Sequence, residues 1–307
     1  MQQGSKKAII AALLANFGIA VAKGVGFVLT RSAGMLAEAG HSLADTSNQA
    51  LLLLGGRRAA READQTHPFG YGRERYFWSF VVALVLFSMG GLFALYEGIE
   101  KLRHPHATES LGIAIGILIV AIILETFSLR TAVREARHVK PADMSWWRFI
   151  RTSKSPELPV VLLEDVGAEI GLFLALIGVS LASATGDPRW DAVGSIAIGI
   201  LLVTIGVVLA IETKGLLLGE TASEDVVAAI SASISSQPEV TSLIHTRTQH
   251  MGPDELLVGA KVEFNRDLDF AQLAAAVDRV ESAIRQAVPS AVTIYVEPDL
   301  RRAAGGE

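Results

Sequence analysis

His41 and Asp45 lie four residues apart in the stretch Leu36 to Asn48, inside a segment that is otherwise apolar enough to cross a bilayer. Residues i and i+4 of a helix share one face, so an imidazole nitrogen and a carboxylate oxygen can point at one ion. This is half of a tetrahedral metal site. An ionisable group costs roughly 2.5–3.5 kcal/mol at the bilayer centre, so two of them on one face require a reason. A hydrogen-bonded pair that joins two helices explains the spacing equally well.

A second acidic group lies in another apolar segment, in the stretch Leu163 to Glu169. Asp165 and Glu169 are again four residues apart, and Glu164 is turned about 100° from Asp165 on a helix. Such a concentration of carboxylates in an apolar segment favours a role as ligands. A buried carboxylate without a counter-charge is protonated, whereas a divalent cation lets it ionise, so metal and protons compete for the same oxygens. That competition is the basis of exchange.

The composition is that of a membrane protein. The 307 residues are 50% hydrophobic and 19% charged, with a mean hydropathy of +0.40, which is too apolar for an ordinary soluble domain. The net charge of -5 gives no general basic field, which argues against a nucleic-acid partner. Because the sequence has no cysteine, the candidates for metal chemistry are His, Asp and Glu.

Several segments have the roughly 20 apolar residues that a helix needs to cross a bilayer. The six spans are approximately 8–30, 33–55, 77–100, 110–132, 158–183 and 191–217. An even number of spans places both termini on one side. Lysine and arginine concentrate before the first span and after the second and fourth, so the positive-inside rule predicts cytoplasmic termini. The compact length and the lack of a transit segment predict a multi-pass protein of the bacterial inner (plasma) membrane.

The composition turns soluble after the sixth span, which predicts a transmembrane domain at 1–219 and a cytoplasmic domain at 220–307. The predicted elements of the second domain are helix 223–236, strand 240–250, strand 255–264, helix 268–287 and strand 291–298. The strands are predicted from alternation and the helices from apolar residues at helical spacing. This αββαβ order favours a small two-layer α+β domain.

The links between spans have further features. The segment of about 138–157 contains Trp146 and Trp147 beside arginine residues, which is typical of a helix at the lipid headgroups and equally of a packed linker hairpin. In the link after the second span, Asp64 and His67 could form a weaker second metal site, although a polar turn explains their spacing better. Three other glutamates, which lack a second ligand one turn away, are interpreted as interfacial or inter-helix contacts: Glu97, Glu100 and Glu125.

With these residues in view, the chain resembles the cation diffusion facilitator family, a family of metal transporters. The resemblance rests on SAGMLAEAGHSLADTSNQALLLLG, THPFGYGRERYFWSF, GDPRWDAVGS and the αββαβ tail, which together cover nearly the whole chain. The stretch SKSPELPVVLLEDVGAEIG is similar to the branch that contains the animal mitochondrial zinc exporter. The resemblance implies an α-helical membrane protein, with a six-transmembrane-helix bundle and a C-terminal cytoplasmic ferredoxin-like α+β domain, that forms a homodimer.

The resemblance also implies a transmembrane site with ligands from spans two and five. The family usually has a histidine four residues before the aspartate of span five, but this chain has Val161 there, before Asp165. The implied metal ligands are His41, Asp45 and Asp165, with Glu164, Glu169, Asn48 or water in the fourth position.

Other positions also depart from the family pattern. In the tail, the positions where many members keep metal-binding His and Asp hold Lys261, Tyr295 and Glu297, so we expect this domain to act mainly in dimerisation. In the link between spans two and three, Tyr71 stands where some members have a histidine.

The expected function is secondary transport: export of a divalent cation, most readily zinc, in exchange for protons. The cation is then a substrate, and no prosthetic group is expected. Zinc suits mixed nitrogen and oxygen ligands in tetrahedral geometry, while one histidine among several carboxylates leaves manganese, iron or cobalt open. The expected partners are the cation, membrane lipid and a second copy of the chain.

Two alternatives to transport belong to other classes of protein. A membrane-embedded metalloenzyme would typically need H-E-x-x-H on a helix, which the sequence lacks, so the chain is not expected to be an enzyme. A metal sensor would bind the cation without moving it.

Overall fold

The computed structural model describes residues 3–30, 33–105 and 111–301 of the chain. The chain divides into two compact units, residues 1–60 with 74–214 and residues 61–73 with 215–307. Each unit has a buried hydrophobic core of its own.

Long helices build the first unit. In chain order they are α1 (Gln3–Thr30), α2 (Ala33–Ala59), α3 (Glu74–Val85), a π-helical segment (Leu86–Leu92), α4 (Phe93–Arg103), α5 (Leu111–Val139), α6 (Trp146–Thr152), α7 (Glu157–Thr185) and α8 (Arg189–Leu218). The elements from α3 to α4 follow without a break and correspond to the third predicted span. Within the described ranges, the long helices therefore match the six predicted spans, which confirms the helical part of the fold class.

Four of the described helical segments are long and apolar enough to cross a membrane. They are Lys6–Gly26, Glu74–Arg103, Ala114–Val139 and Arg189–Leu218. The two helices that carry the predicted ligands, α2 and α7, have 27 and 29 residues. At 1.5 Å per residue, both are long enough to cross the roughly 30 Å of hydrocarbon in a bilayer.

Glycines bring the third predicted span into close contact with α8. A Cβ atom built on Gly91 would lie 2.7 Å from the backbone nitrogen of Val203, and one on Gly206 would lie 2.9 Å from the Cα of Phe87. Two further glycines at this contact also approach a facing backbone: Gly98 and Gly199. Small residues allow membrane helices to approach this closely, so the contact depends on glycine at these positions.

Gly91→Ala should therefore destabilise the helical unit. Overpacking of a tight contact typically costs about 1–3 kcal/mol, and here the obstacle is the backbone of Val203. Gly116→Ala is the matched control, because a Cβ there meets nothing within 4 Å. We expect thermal unfolding in one detergent to show a lower midpoint for Gly91→Ala and an unchanged or higher one for Gly116→Ala. Equal midpoints for the two variants would refute the role assigned to the glycine contact.

A short helix, α6, lies in the link before α7. Phe149 and Ile150 are buried in the core of the helical unit, whereas Trp147 is exposed. The helix is thus packed on one side and presents an aromatic side chain on the other. Its placement at the lipid headgroups stays a prediction.

The second unit is a small α+β domain. Its elements are α9 (Glu224–Ser235), β1 (Val240–Gly252), β2 (Glu255–Phe264), α10 (Phe270–Ala287) and β3 (Ala291–Pro298). The sheet order is β1-β2-β3, with an antiparallel β1–β2 pair and a parallel β2–β3 pair. Alternate β2 residues such as Val258 and Val262 are buried in one core with Ile230 of α9 and Val280 of α10. The αββαβ order confirms the second part of the fold class.

The start of α10 differs slightly from the predicted start at residue 268. Asp269 is the N-cap: its side chain accepts a hydrogen bond from the Gln272 backbone N–H at 2.8 Å, and the Gln272 side chain accepts one from the Asp269 backbone N–H at 3.0 Å. This capping box satisfies N–H groups that have no partner within the helix, so the helix begins at Phe270.

Candidate metal centre

A cavity of about 180 Å³ lies among the helices of the first unit. Acidic side chains from four helices line it: Asp45 of α2, Glu97 of α4, Glu125 of α5 and Glu164 of α7. The other polar lining residues include Asn16, Lys23 and Ser42. Leu86 and Phe93 also line the cavity, at the start of the π-helical segment and just after its end. The helical unit therefore contains a hollow lined by acidic and apolar side chains, beside a local widening of the third predicted span.

Glu164 connects α7 to α2 at this cavity. Its two carboxylate oxygens accept hydrogen bonds from Asn48 Nδ2 at 3.0 Å and from Gln49 Nε2 at 2.8 Å. All three side chains are buried. Asp45 precedes Asn48 by three residues on the same helix and lines the same cavity. The structure therefore brings together three of the predicted site residues: Asp45, Asn48 and Glu164.

Asp165 and Glu169 are directed towards α5 instead. The Ser128 hydroxyl donates to Asp165 Oδ2 at 2.7 Å, and the Thr126 hydroxyl donates to Glu169 Oε1 at 2.8 Å. The second oxygens of both carboxylates, Oδ1 and Oε2, are buried and have no hydrogen-bond partner in the described structure. Because consecutive helical residues point about 100° apart, Glu164 faces α2 and Asp165 faces α5. Asp165 is not among the residues that line the cavity.

Glu125, like Glu97, lines the cavity but was not among the site residues predicted from the sequence. It was interpreted as an inter-helix or interfacial contact, but its side chain is only 1% exposed and lines the cavity. The carboxyl groups close enough to repel it electrostatically are those of Asp165, Glu164, Asp45 and Glu169. The available signal was the polar run Glu125, Thr126 and Ser128 within an otherwise apolar span. Spacing alone could not show that this run faces α7.

His41 lies one turn before Asp45 in α2, and its side chain is outside the described residues. Among the side chains that are described, no three His, Asp or Glu residues are grouped closely enough to hold one metal ion. In this state, Asp45 and Glu164 share the cavity while Asp165 and Glu169 bind hydroxyl groups of α5. Formation of a complete site requires these side chains to turn towards one ion.

The residues of the predicted weaker second site form a hydrogen-bonded turn. Asp64 Oδ1 accepts from the backbone N–H groups of Thr66 at 2.9 Å and His67 at 2.8 Å, and the Tyr71 hydroxyl donates to Oδ2 at 2.6 Å. His67 Nδ1 is 3.8 Å from Asp64 Oδ1. The hydrogen bonds from Tyr71, His67 and Thr66 hold the pKa of Asp64 below its ordinary value. Metal binding by Asp64 and His67 stays a prediction, since the carboxylate already stabilises the turn.

Tyr71→Phe should raise the pKa of Asp64 towards its ordinary value of 3.8, because the Tyr71 hydroxyl contributes most to the lowered pKa. With a lowered pKa in the folded state, the Asp64 contribution to stability is present above about pH 3.8 and is lost as pH falls through the folded-state pKa. A carboxyl NMR titration of aspartate-labelled protein, with the signal assigned from Asp64→Asn, measures this value. Tyr96→Phe, at an exposed tyrosine of α4, is the control. An identical Asp64 midpoint in the wild type and Tyr71→Phe would contradict the assignment.

In the second unit, Lys261 forms ion pairs with two carboxylates. The Lys261 ammonium lies 3.1 Å from Glu297 Oε1 and 2.9 Å from Asp299 Oδ2. Hydrogen bonds to Asp299 and Glu297 raise the pKa of Lys261 above its ordinary value. The positive charge beside these two carboxylates is therefore the ammonium group of Lys261.

Comparisons with known proteins define the class to which this fold and site belong. The family model for the cation efflux transmembrane domain matches residues 9–218, and the model for the cation efflux protein cytoplasmic domain matches residues 222–299. The chain belongs to the cation efflux, or cation diffusion facilitator, family. The matched family and the relatives are transporters rather than enzymes.

Individual relatives show which branch of the family is similar. The "Proton-coupled zinc antiporter SLC30A9, mitochondrial" of Xenopus laevis is 35% identical over 264 residues, covering 86% of this chain and 47% of the relative. "Metal tolerance protein C4" of Arabidopsis thaliana is 27% identical over 264 residues, 86% of this chain and 58% of the relative. "Magnetosome protein MamB" of Magnetospira sp. (strain QH-2) is 25% identical over 281 residues, covering 92% and 89%. The chain spans about half the length of the mitochondrial antiporters that it matches.

Proposed function

We propose that this chain is a secondary transporter that exports a divalent cation from the cytoplasm in exchange for protons, with zinc as its preferred substrate. The observation that carries the proposal is the acid-lined cavity between the helices of a membrane unit, which Asp45 of α2 and Glu164 of α7 both line. Buried acids are costly in such surroundings unless a cation or protons neutralise them. The same groups can therefore hold a metal in one step and protons in the next.

The proposed binding residues come from two helices. His41 and Asp45 lie one turn apart on α2, and α7 supplies Glu164 and Asp165. Asn48 holds Glu164 through its amide N–H, while its own Oδ1 is buried without a hydrogen-bond partner among the described residues and could turn towards an ion. Glu169 lies one turn beyond Asp165. A cation that enters the cavity displaces protons from the carboxylates, and returning protons release it on the far side.

The choice of zinc is supported by a donor set that mixes one imidazole with carboxylates, which suits four-coordinate zinc. It is also supported by the zinc antiporter name of the Xenopus laevis relative. The donor set is nevertheless rich in oxygen, because Val161, fully buried one turn before Asp165, stands where the family pattern has a histidine. Manganese, iron and cobalt are the alternative substrates by the same mechanism.

We also propose that the chain acts as a homodimer with both termini in the cytoplasm. The match of the tail to the cytoplasmic domain of cation efflux proteins supports dimerisation. The distribution of lysine and arginine around the spans supports the orientation.

Reconstituted proteoliposomes test the proposed transport. We expect zinc flux that depends on a pH gradient, that moves protons in the opposite direction and that stops when a protonophore collapses the gradient. Parallel assays with manganese, cobalt and iron rank the substrates. Saturable zinc binding without any flux would identify a sensor and overturn the transport proposal, and a flux indifferent to the pH gradient would overturn the coupling to protons.

A further inference from the structure

We propose that Glu125 of α5 is a direct oxygen ligand of the transported cation, so that three helices rather than two supply the site. The inference rests on the proposed function and extends it. It concerns a helix, α5, to which the family resemblance assigns no ligand.

The position of Glu125 in the cavity is the first argument. Its side chain is 1% exposed and lines the cavity together with Asp45 and Glu164. Its Oε1 is buried and has no hydrogen-bond partner in the described part of the structure. An unpaired buried polar atom typically costs about 1–3 kcal/mol. If Glu125 binds the cation during only part of the transport cycle, its Oε1 has no partner during the remaining steps of the cycle.

The charges around Glu125 are the second argument. Among the residues that the structure describes, four acidic side chains line the cavity, namely Asp45, Glu97, Glu125 and Glu164, against one basic side chain, Lys23. The carboxyl groups of Asp165 and Glu169, which lie outside the lining, are also close enough to repel Glu125. Glu125 is therefore near both groups of acids, those that line the cavity and those that accept hydrogen bonds from hydroxyl groups of α5. A divalent cation beside Glu125 would reduce the repulsion in both groups.

The third argument is that hydrogen bonds hold α5 against α7. Ser128 and Thr126 of α5 donate hydrogen bonds to Asp165 and Glu169 of α7. Ser128 follows Glu125 by three residues, so both lie on one face of the helix. The same contacts that hold Asp165 in place thus also present Glu125 to the cavity.

The chemical consequence concerns the choice of metal. Where the family pattern has an imidazole on α7, this chain has the apolar Val161. A carboxylate from α5 replaces a nitrogen donor with a harder oxygen donor, which suits manganese and iron better than a second histidine would. Loss of Glu125 should therefore weaken zinc binding and weaken manganese binding more.

The test uses the whole chain as wild type, Glu125→Gln and the control Glu100→Gln, which changes an exposed glutamate of α4. Zinc and manganese dissociation constants are measured by competition with a fluorescent chelator, and initial flux is measured in proteoliposomes. Since even outer-shell partners are typically worth about 10–100-fold in metal affinity, we expect Glu125→Gln to raise the zinc Kd at least ten-fold. Glu100→Gln should match the wild type. X-ray absorption of bound zinc should show one fewer oxygen neighbour in Glu125→Gln.

The outcomes separate this inference from the proposed function. Wild type that neither binds nor moves zinc would refute the transport proposal itself. Wild type that transports zinc, with Glu125→Gln equal to it in Kd and in metal preference, would overturn only the role of Glu125. Should Glu125→Gln fail to yield folded protein, Glu125→Asp retains the carboxylate on a shorter side chain. That variant should show a raised zinc Kd at unchanged thermal stability, and an unchanged Kd would count against the inference.

Discussion

Asp45→Asn should reduce proton-driven zinc transport to the background of protein-free liposomes. The substitution keeps the size of the side chain and removes the charge of a residue that lines the cavity opposite Glu164. Since outer-shell partners alone are typically worth about 10–100-fold in metal affinity or activity, removal of a direct ligand is expected to cost at least that much. Of the substitutions considered, this one should have the largest effect on transport.

The control for Asp45→Asn is the variant Asp143→Asn. It makes the same chemical change at an exposed residue in the link between α5 and α6. Zinc uptake into proteoliposomes is measured for both variants at equal protein density, and thermal unfolding confirms that both are folded. Asp143→Asn should transport at the wild-type rate. Wild-type transport by Asp45→Asn would remove this residue from the site.

Glu157→Gln should have the largest effect on stability. Arg75 and Glu157 form a buried ion pair between the first turns of α3 and α7, with side chains 4% and 1% exposed. Arg75 Nη2 lies 2.9 Å from Glu157 Oε2, and Arg75 Nε donates to Oε1, so the pair is bidentate. Breaking a buried ion pair by removing one partner typically costs about 3–5 kcal/mol.

Unfolding in one detergent measures this loss, with Arg285→Gln as the control. Arg285 is half-exposed and 4.0 Å from Glu281, and such surface pairs are worth about 0–1 kcal/mol. The double variant Arg75→Met, Glu157→Leu should lose less stability than Glu157→Gln, because it removes both charges of the pair. A stability of Glu157→Gln equal to that of Arg285→Gln would show that the pair contributes nothing.

Much of the architecture was predictable because it depends on local sequence. Apolar runs of bilayer length placed the six long helices, and alternation in the segment 255–264 placed β2 with its bounds as observed. The start of α10 was predicted two residues early, at residue 268, because the capping box at Asp269 was not considered. The π-helical segment within the third predicted span has no equivalent signal in hydropathy, so it was not anticipated.

The site was only partly predictable. Spacing along one helix fixed the common face of His41 and Asp45, and it showed that Glu164 and Asp165 point in different directions. It could not show that Glu164 faces α2 while Asp165 faces α5, since the rotation of a helix about its axis depends on its neighbours. Glu125 was not included in the predicted site for the same reason, because its relation to the other acids exists only after α5 packs on α7.

The central claim is that the cavity among α2, α5 and α7 binds the transported cation. Anomalous diffraction at the zinc absorption edge, on zinc-loaded crystals of the full chain, tests it most directly. We predict a zinc peak inside the cavity at about 2.0–2.2 Å from carboxylate oxygens of Asp45 and Glu164. A zinc peak at Asp64 and His67 with none in the cavity would contradict the claim.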